Sequence, residues 1–372
     1  MLNLNHNRNC LYVLPYPGFF SQYSGCGGHV AHAAGILNAL ASRSIQVRVI
    51  AEEPHEILEL NGIVKDIVPL KSHIQVMRQI WAIRLLSRLR SAVQKGNYGG
   101  CYMRYSASFA PWIPAAKRIL GNTPLVLEVN SLGSQWRSFL RPVDRMALRC
   151  PERVVCISSS LRDYIQNLLA HREHGDIRVV LNGVYPERFN VSPVMPETSQ
   201  YMNVGYAGVL KADYGLETLI QAGQRVQNQG IHIHIYGEGP YRRQLESEAR
   251  GIENITFHGA VPFTQMPGYL LGMDVLVYTT SKKYLYQSPI KLFEYLAAAR
   301  PILTACTPQT RELLEGRECA LFFNVGDSSE LADRLIKLYK NPPLRQYMGQ
   351  AGRELAVREH SWDARLKEIF DL

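Results

Sequence analysis

The chain has 372 residues, 46% of them hydrophobic and 20% charged, with a formal net charge of +9 at pH 7. That length points to two domains, each large enough to bury a core, and the composition excludes a disordered, collagenous or coiled-coil protein. No stretch approaches the roughly 18 unbroken apolar residues of a membrane span, and the opening MLNLNHNRNCLYVLPYPGFF has too short an apolar run before Pro15 and Pro17 for a secretory signal. A cytoplasmic protein is expected.

Taken in order, CLYVLPY reads as a buried strand, followed by the Gly-rich run Ser24–Gly28 and a helix through HVAHAAGILNALASR. Short β runs follow at VRVIA, GCYMRYS, LVLEVN and RVVCIS, with helical stretches between them. The segment VVLNGVYPERFNVSPVMPETSQ, rich in Pro, Asn and Ser, reads as a linker. A second series of strands comes next at NVGYAG, IHIHIYG, ITFHG, VLVYT, PILTA and ALFFN. Alternation of this kind belongs to doubly wound parallel α/β sheets, which bind ligands at the carboxyl ends of their strands. The expected division is a first domain over 1–185, a second over 186–355, and a closing helix, about 356–372 with its core near Trp362 to Phe370, that returns to the first.

Cysteine usage fits a reducing compartment. The seven cysteines are odd in number, scattered and without a C-x-x-C pair, so neither a disulfide framework nor a zinc site is expected.

The positive charge is not evenly spread. Residues 1–185 hold 21 of the Lys and Arg and 11 of the acids, a net of +10, which leaves −1 for the rest. Within 77–95, Arg78, Arg84, Arg88, Arg90 and Lys95 alternate at helical spacing with Trp81 and other apolar residues, and no acid intervenes. Within 137–153, Arg137, Arg141, Arg145, Arg149 and Arg153 recur every fourth residue, diluted by Asp144 and Glu152. Each stretch reads equally as a solvated helix face over a core or as a face for an anionic membrane surface. Neither has the interleaved aromatics or the motif of a nucleic-acid binder, so no nucleic acid is expected.

Several chemistries are absent from the sequence: there is no GxxxxGK[ST], HExxH or GxSxG. Tyr236-Gly237-Glu238-Gly239-Pro240 lacks the third glycine of a dinucleotide fingerprint, and a tight strand-to-helix turn explains its glycines. The segment SPIKLFEYLAAARP, residues 288–301, enters a helix at Pro289. Helix starts carry unpaired N–H groups and partial positive charge, which suit a diphosphate, and Lys291 adds a full charge. Glu294, one turn on, suits a ribose diol; the competing reading is a surface i,i+3 pair.

These segments, with VGYAGVLKADYGLETLIQA, IYGEGPYRRQLE, ITFHGAVPFTQMPGYLLGMDVLVYTT, SWDARLKEIF and, toward the start, GGHVAHAAGILNAL, LVLEVNSLG, RVVCISSSLRDYI and LNGVYPERF, resemble in order the GT-B glycosyltransferases of family 4. The resemblance implies two Rossmann-like domains facing across a cleft, with the acceptor on the first and a nucleotide diphosphate sugar on the second. It implies retaining transfer of a hexose or N-acetylhexosamine from a UDP- or GDP-sugar, with no metal and no cofactor. By position, Lys211 and Lys291 correspond to diphosphate-binding cations and Glu294 to the ribose-binding carboxylate. Gly27, Gly28 and Gly208 correspond to close-approach glycines, Gly259 and Val261 to the base-contacting main chain, and Ser288, Pro289 and Ile290 to the phosphate-binding helix start. Arg104, Glu128 and Asn130, at strand ends, are the acceptor-side candidates.

The departures are Tyr286, which stands where many members have a sugar-facing Glu; Tyr214 before Gly215 in place of a second Lys; Ala299 in place of the usual Gly; and Asn130 in place of a frequent His. The expected partners are a nucleotide-sugar donor and a glycan or lipid-linked acceptor of cell-surface polysaccharide assembly. Peripheral attachment to the inner face of the plasma membrane through 77–95 and 137–153 is a further expectation. A GT-B nucleotide-sugar epimerase and a non-catalytic sugar-binding partner of a transferase stay open as alternatives.

Overall fold

A computed structural model describes residues 4, 6–16, 28–51, 64–67, 75–169, 176–197, 200–281 and 289–372. The chain divides into two compact units, Met1–Leu181 with Trp362–Leu372, and Asn182–Ser361.

In the first unit the elements run β1 (Asn9–Val13), α1 (Gly28–Ser42), β2 (Gln46–Ala51), β3 (Val64–Ile67), α2 (Gln75–Lys95), β4 (Gly100–Arg104), α3 (Ile113–Leu120), β5 (Leu125–Val129), α4 (Arg141–Leu148), β6 (Arg153–Cys156), α5 (Ser159–Leu169) and β7 (Asp176–Val179). They form a seven-stranded sheet of order β3-β2-β1-β4-β5-β6-β7, parallel at every pairing. In the second unit they run β8 (Met202–Ala207), α6 (Leu216–Arg225), β9 (Ile231–Tyr236), α7 (Arg242–Glu248), β10 (Ile255–Gly259), α8 (Met266–Leu271), β11 (Val275–Tyr278), α9 (Ile290–Ala297), β12 (Ile302–Ala305), α10 (Pro308–Leu314), β13 (Ala320–Phe323), α11 (Ser328–Tyr339) and α12 (Pro342–Arg358); the helix α13 (Trp362–Phe370) belongs to the first unit. This second sheet is six-stranded, of order β10-β9-β8-β11-β12-β13.

The central strands are apolar runs buried on both faces, as helices on both sides of a parallel sheet require. The short strands β3 (VKDI) and β7 (DIRV) carried no such run into the sequence reading, and both are edge strands, where charge is tolerated. Side chains cap several helices: Thr307 accepts from the Thr310 amide, Asp327 from Glu330 at 2.9 Å and Asn341 from Leu344 at 3.1 Å. Each sheet reverses strand order once, between β1 and β4 and between β8 and β11, and these are the points where doubly wound sheets open a ligand crevice.

The stretch read as a linker is structured. Val179 ends β7, and the chain from Asn182 onward packs into the second unit. The Val184 amide donates to the His360 carbonyl at 2.9 Å, and Arg353 holds the Pro186 carbonyl at 2.8 Å and the Asn190 side chain at 3.0 Å. The Pro and Asn content marks a tightly turned segment here.

In the first unit α13 packs on α1, where Gly35 lies against the Trp362 ring so closely that a Cβ would overlap it. Arg365 of α13 is 1% exposed; its guanidinium donates to the carbonyls of Val180 and Leu181 and lies 3.2 Å from the Glu128 carboxylate. In the second unit Ala299 follows the end of α9 with φ +54°, a left-handed corner that glycine adopts without cost.

Two stability outcomes are expected. Ala299→Gly should stabilise the fold by about 1 kcal/mol, seen as a higher urea midpoint at unchanged m, since the strain of an L side chain in that region disappears; a lower midpoint would refute the strain. Arg365→Leu should cost about 3–5 kcal/mol, because Glu128 is left buried without its counter-charge, and the double variant Arg365→Leu/Glu128→Met should regain most of it. A single-variant loss under about 1 kcal/mol, read by urea unfolding, would contradict that account.

Candidate functional site

In the second unit the site begins at the reversal between β8 and β11. Gly208 follows β8 directly, and Lys291 is the second residue of α9. The Lys291 Nζ donates to the Tyr206 hydroxyl at 2.9 Å and lies 4.3, 5.5 and 5.7 Å from the ring centroids of Tyr206, Tyr214 and Tyr278. A Cβ at residue 208 would overlap that Nζ, so glycine is what lets the lysine reach this position. Burial pushes the Lys291 amine down to about 7, against the opposing pull of Glu294.

Glu294, one turn further along α9, is partly buried. Burial raises its carboxyl above the ordinary range, while Arg188, with Nη1 at 3.7 Å, and then Lys291 pull the other way. Arg188 stacks 3.8 Å from the Phe263 ring centroid and donates to the Phe263 carbonyl at 2.7 Å. Sequence reading passed over Arg188 because it sits in the segment taken for a linker; the run Pro186-Glu187-Arg188-Phe189 was the signal available.

Lys211 is exposed at the head of a single 3-10 turn over Ala212–Tyr214, its Nζ 5.9 Å from the Tyr214 ring. Tyr214, the residue in place of a second lysine, therefore lies beside both Lys211 and Lys291. Glycines 237 and 239 have a specific reason. The loop after β9 zips along the loop after β8, with Leu210 donating to the Glu238 carbonyl at 2.9 Å and Tyr241 to the Leu210 carbonyl at 3.1 Å, and a Cβ at either glycine would overlap the carbonyl of Gly208 or Leu210. Gly259, at the end of β10 with φ +76°, accepts from the Gly237 amide at 2.7 Å and joins the same rim; Val261 is half-buried just beyond it. Pro289 holds the cap position of α9 and Ile290 its first residue. The structure thus brings Gly208, Lys211, Gly259, Lys291 and Glu294 to the carboxyl end of one sheet. Ser288, Tyr286 and Gly27 lie outside the described residues, and Gly28 opens α1.

In the first unit Glu128 lies elsewhere than expected. It has no exposure and forms the hub of a buried network instead of facing an acceptor. Its Oε1 lies 2.8 Å from the His32 Nε2, and its Oε2 accepts from the Tyr102 hydroxyl and from Arg365. The Asn130 amide, oriented to satisfy both neighbours, donates to Oε1 at 2.8 Å while its oxygen accepts from Arg104. Burial works to raise the Glu128 carboxyl, but His32 and Arg365, each through charge and hydrogen bonding, outweigh it and hold the group below its usual range. Burial takes His32 down to about 4, against the pull of the Glu128 carboxylate. Glu128 is therefore a positioning residue for Arg104 and Asn130 at the β4 and β5 ends. His32 and Arg365 were the partners that sequence reading missed; no local pattern pairs residues so far apart.

The basic stretches are also redistributed. Trp81 of α2 is buried against Phe109, so it is not a surface anchor, although Ile80 and Ile83 are 41% and 55% exposed beside exposed Arg84 and Arg88. Arg153 is buried and bonded to Asp176, Asp371 and the Ile369 carbonyl. Asp144 does not dilute the α4 surface. It turns inward, accepting from the Tyr105 hydroxyl and, at 2.7 Å, from the Ser134 amide. Outward stand Trp136 and Phe139, 79% and 70% exposed, among exposed Arg137, Arg141, Arg145 and Arg149. Among the described residues no group of His, Cys, Asp or Glu is placed to hold a metal ion, and no helix is long and apolar enough to cross a membrane.

Comparison with known proteins matches the family model "Glycosyltransferase Family 4" over residues 26–188 and "Glycosyl transferases group 1" over 202–341. The chain is similar to a phosphatidyl-myo-inositol mannosyltransferase of Mycobacterium leprae, 24% identical with 92% of each chain covered. It is also similar to the capsular polysaccharide biosynthesis glycosyltransferase CapM of Staphylococcus aureus, 21% identical over 88% of this chain and 89% of that protein. Among solved structures, Anabaena HepE in complex with UDP superposes with a TM-score of 0.75 at 17% identity over 98% of both chains, a likeness of fold. With the two family matches in series along both units and the two sheets each reversing once, the chain belongs to the GT-B glycosyltransferases of family 4.

Proposed function

We propose that this glycosyltransferase moves a hexose or N-acetylhexosamine, with retention of anomeric configuration and without a metal, from a UDP- or GDP-sugar to a glycan or lipid-linked acceptor in cell-surface polysaccharide assembly. The observation that carries the donor assignment is the Lys291 ammonium held over three tyrosine rings at the start of α9, beside Gly208 and Lys211. HepE has been solved with UDP and with UDP-glucose, which supports a nucleotide-sugar donor, and CapM supports a polysaccharide product.

Cleavage of the sugar–phosphate bond builds negative charge on the leaving diphosphate. In this reading Lys291, Lys211 and the positive end of α9 stabilise that charge, and Glu294, steadied by Arg188, accepts hydrogen bonds from the ribose. The acceptor is deprotonated on the same face by the leaving phosphate, so no protein nucleophile is assigned. Arg104 and Asn130, set by Glu128, are the acceptor-side groups. The lipid side is supported by the aromatic and arginine surface at Trp136 and Phe139, which follows β5 at the carboxyl end of the first sheet.

Lys291→Ala should lower kcat/KM for the donor by about 100-fold with the fold intact; unchanged kinetics would remove the donor-site assignment. The pH profile adds a signature. A Lys amine near 7 in the free enzyme is charged below that pH and neutral above it, so donor affinity should fall as pH rises from about 7 to 9. Lys291→Arg should flatten that fall over the same range, since a guanidinium stays charged, and a profile identical to wild type would show that another group titrates.

The surface prediction is separate. The protein should float with vesicles containing anionic phosphatidylglycerol and be released by salt, and Trp136→Ser/Phe139→Ser should reduce flotation by about tenfold without changing donor affinity. No flotation of the wild type would overturn it.

A further inference from the structure

The amino ends of β11 and β12 frame a cavity of about 580 Å³ in the second unit, at the opposite end of the sheet from Gly208 and Lys291. The helix α9 connects the two ends: Lys291 and Glu294 lie near its start, and its last carbonyls look toward the cavity. Three arginines line the space, Arg300, Arg345 and Arg353, with Asp274 as the acid in the lining. Asp274 accepts from the Asn203 amide at 2.8 Å, and its charge also acts on Arg300, which leaves the lining with a net positive charge.

Each guanidinium is fixed by backbone carbonyls. Arg300 donates to Leu271 at 2.6 Å and Ala299 at 3.2 Å, Arg345 to Leu338 at 2.6 Å, and Arg353 to Ala297 at 2.7 Å and Pro186 at 2.8 Å. These bonds set the rotamers and hold the three guanidinium groups at the cavity wall. Burial also works against the charge of Arg300 and of Arg353, holding both below the usual arginine range. The geometry of α12 explains the convergence. Arg345, Gly349 and Arg353 follow one another at i, i+4 and i+8, and Gly349 lies so close to the Ala299 carbonyl that a Cβ would overlap it. The helix is thereby pressed against the Ala299 corner, with one arginine a turn before it and another a turn after.

We propose that this cavity is a second anion site, distinct from the donor site, which binds a small phosphate monoester. Prepositioned guanidinium forks match phosphate oxygens, and two net positive charges in the lining match the dianion. The volume falls within the range of small-molecule sites and exceeds what phosphate alone would fill. The ester body then lies on the apolar wall that Met195, Met273 and Pro301 provide.

The assignment does not depend on the donor reading, and the test separates them. Binding of glucose 6-phosphate, inorganic phosphate and glucose to the full chain is measured by calorimetry for wild type, Lys291→Ala, Arg345→Ala and Gln346→Glu. Gln346 stands on the exposed face of α12 at the cavity rim, so its replacement adds a negative charge there without disturbing a buried contact. The expected result is equal affinity for glucose 6-phosphate in wild type and Lys291→Ala, weaker binding of inorganic phosphate, none of glucose, and a loss of about tenfold or more in Gln346→Glu and Arg345→Ala. If Arg345→Ala unfolds, Gln346→Glu alone decides. No binding of either phosphate up to about 10 mM would overturn the proposal. So would binding lost in Lys291→Ala and retained in Gln346→Glu, which would place the anion on the diphosphate cradle.

Discussion

The Nζ of Lys291 occupies the volume that a side chain at residue 208 would need. Close approaches of this kind, to a side chain here and to main chain at residues 237 and 239, shape the second unit's upper rim. With no side chain at 208 the lysine folds back over β8 onto Tyr206 instead of extending into solvent, and its charge is stripped of most of its water. The loop carrying Gly208 must also run main chain to main chain with the loop after β9, which excludes side chains at 237 and 239. A partly desolvated ammonium facing phenolic rings is costly unless an anion completes its shell. An anion beside Lys291 would offset that cost, because it favours the charged form of the amine that burial disfavours.

The first unit solves a related problem in the opposite way. Glu128 is buried with no exposure, and its oxygens are all engaged by groups of this chain, His32, Tyr102, Asn130 and Arg365. Nothing is left for a ligand, so its contribution is geometric. It orients Asn130 and, through that amide, Arg104, while it ties α13 to β5. A buried ion pair adds little net stability over an apolar pair of the same shape but is expensive to break, which suits a residue that fixes neighbours in place.

How much of this was legible depends on how local each signal is. The buried strands could be read because a parallel sheet covered on both faces demands continuous apolar runs, and LVLEV and VGYA are such runs. The edge strands VKDI and DIRV could not, since an edge does not impose that pattern. In the site, Lys291 and Glu294 share one helix and a readable spacing. The Glu128–Arg365 pair is separated by 237 residues and Arg188 reaches Glu294 from a segment whose Pro and Asn content imitates a linker. Direction was the other missing quantity: the helical spacing around Trp81 and the regular row of arginines up to Arg153 say where side chains lie along the chain, and only packing shows that Trp81, Asp144 and Arg153 point inward.

That redistribution changes what the excess positive charge can do. Once Arg104 and Arg153 are buried with their partners, the exposed cations of the first unit include those of α2 and α4, on helices that both pack beside α3. Right-handed crossovers place all three on one face of the sheet, since β3–β4, β4–β5 and β5–β6 step in the same direction. Cations alone would give an attraction that decays over about 8 Å at physiological salt, enough to gather the protein near an anionic surface but not to orient it. Trp136 and Phe139 supply the second ingredient, apolar area that water disfavours and that an interface can bury. They follow β5, whose carboxyl end also carries Asn130, so the aromatic pair and the Arg104–Asn130–Glu128 network lie at the same end of the first sheet. Were the unit to meet an anionic surface, the cations would supply the attraction and the aromatic pair would fix which edge turns toward it.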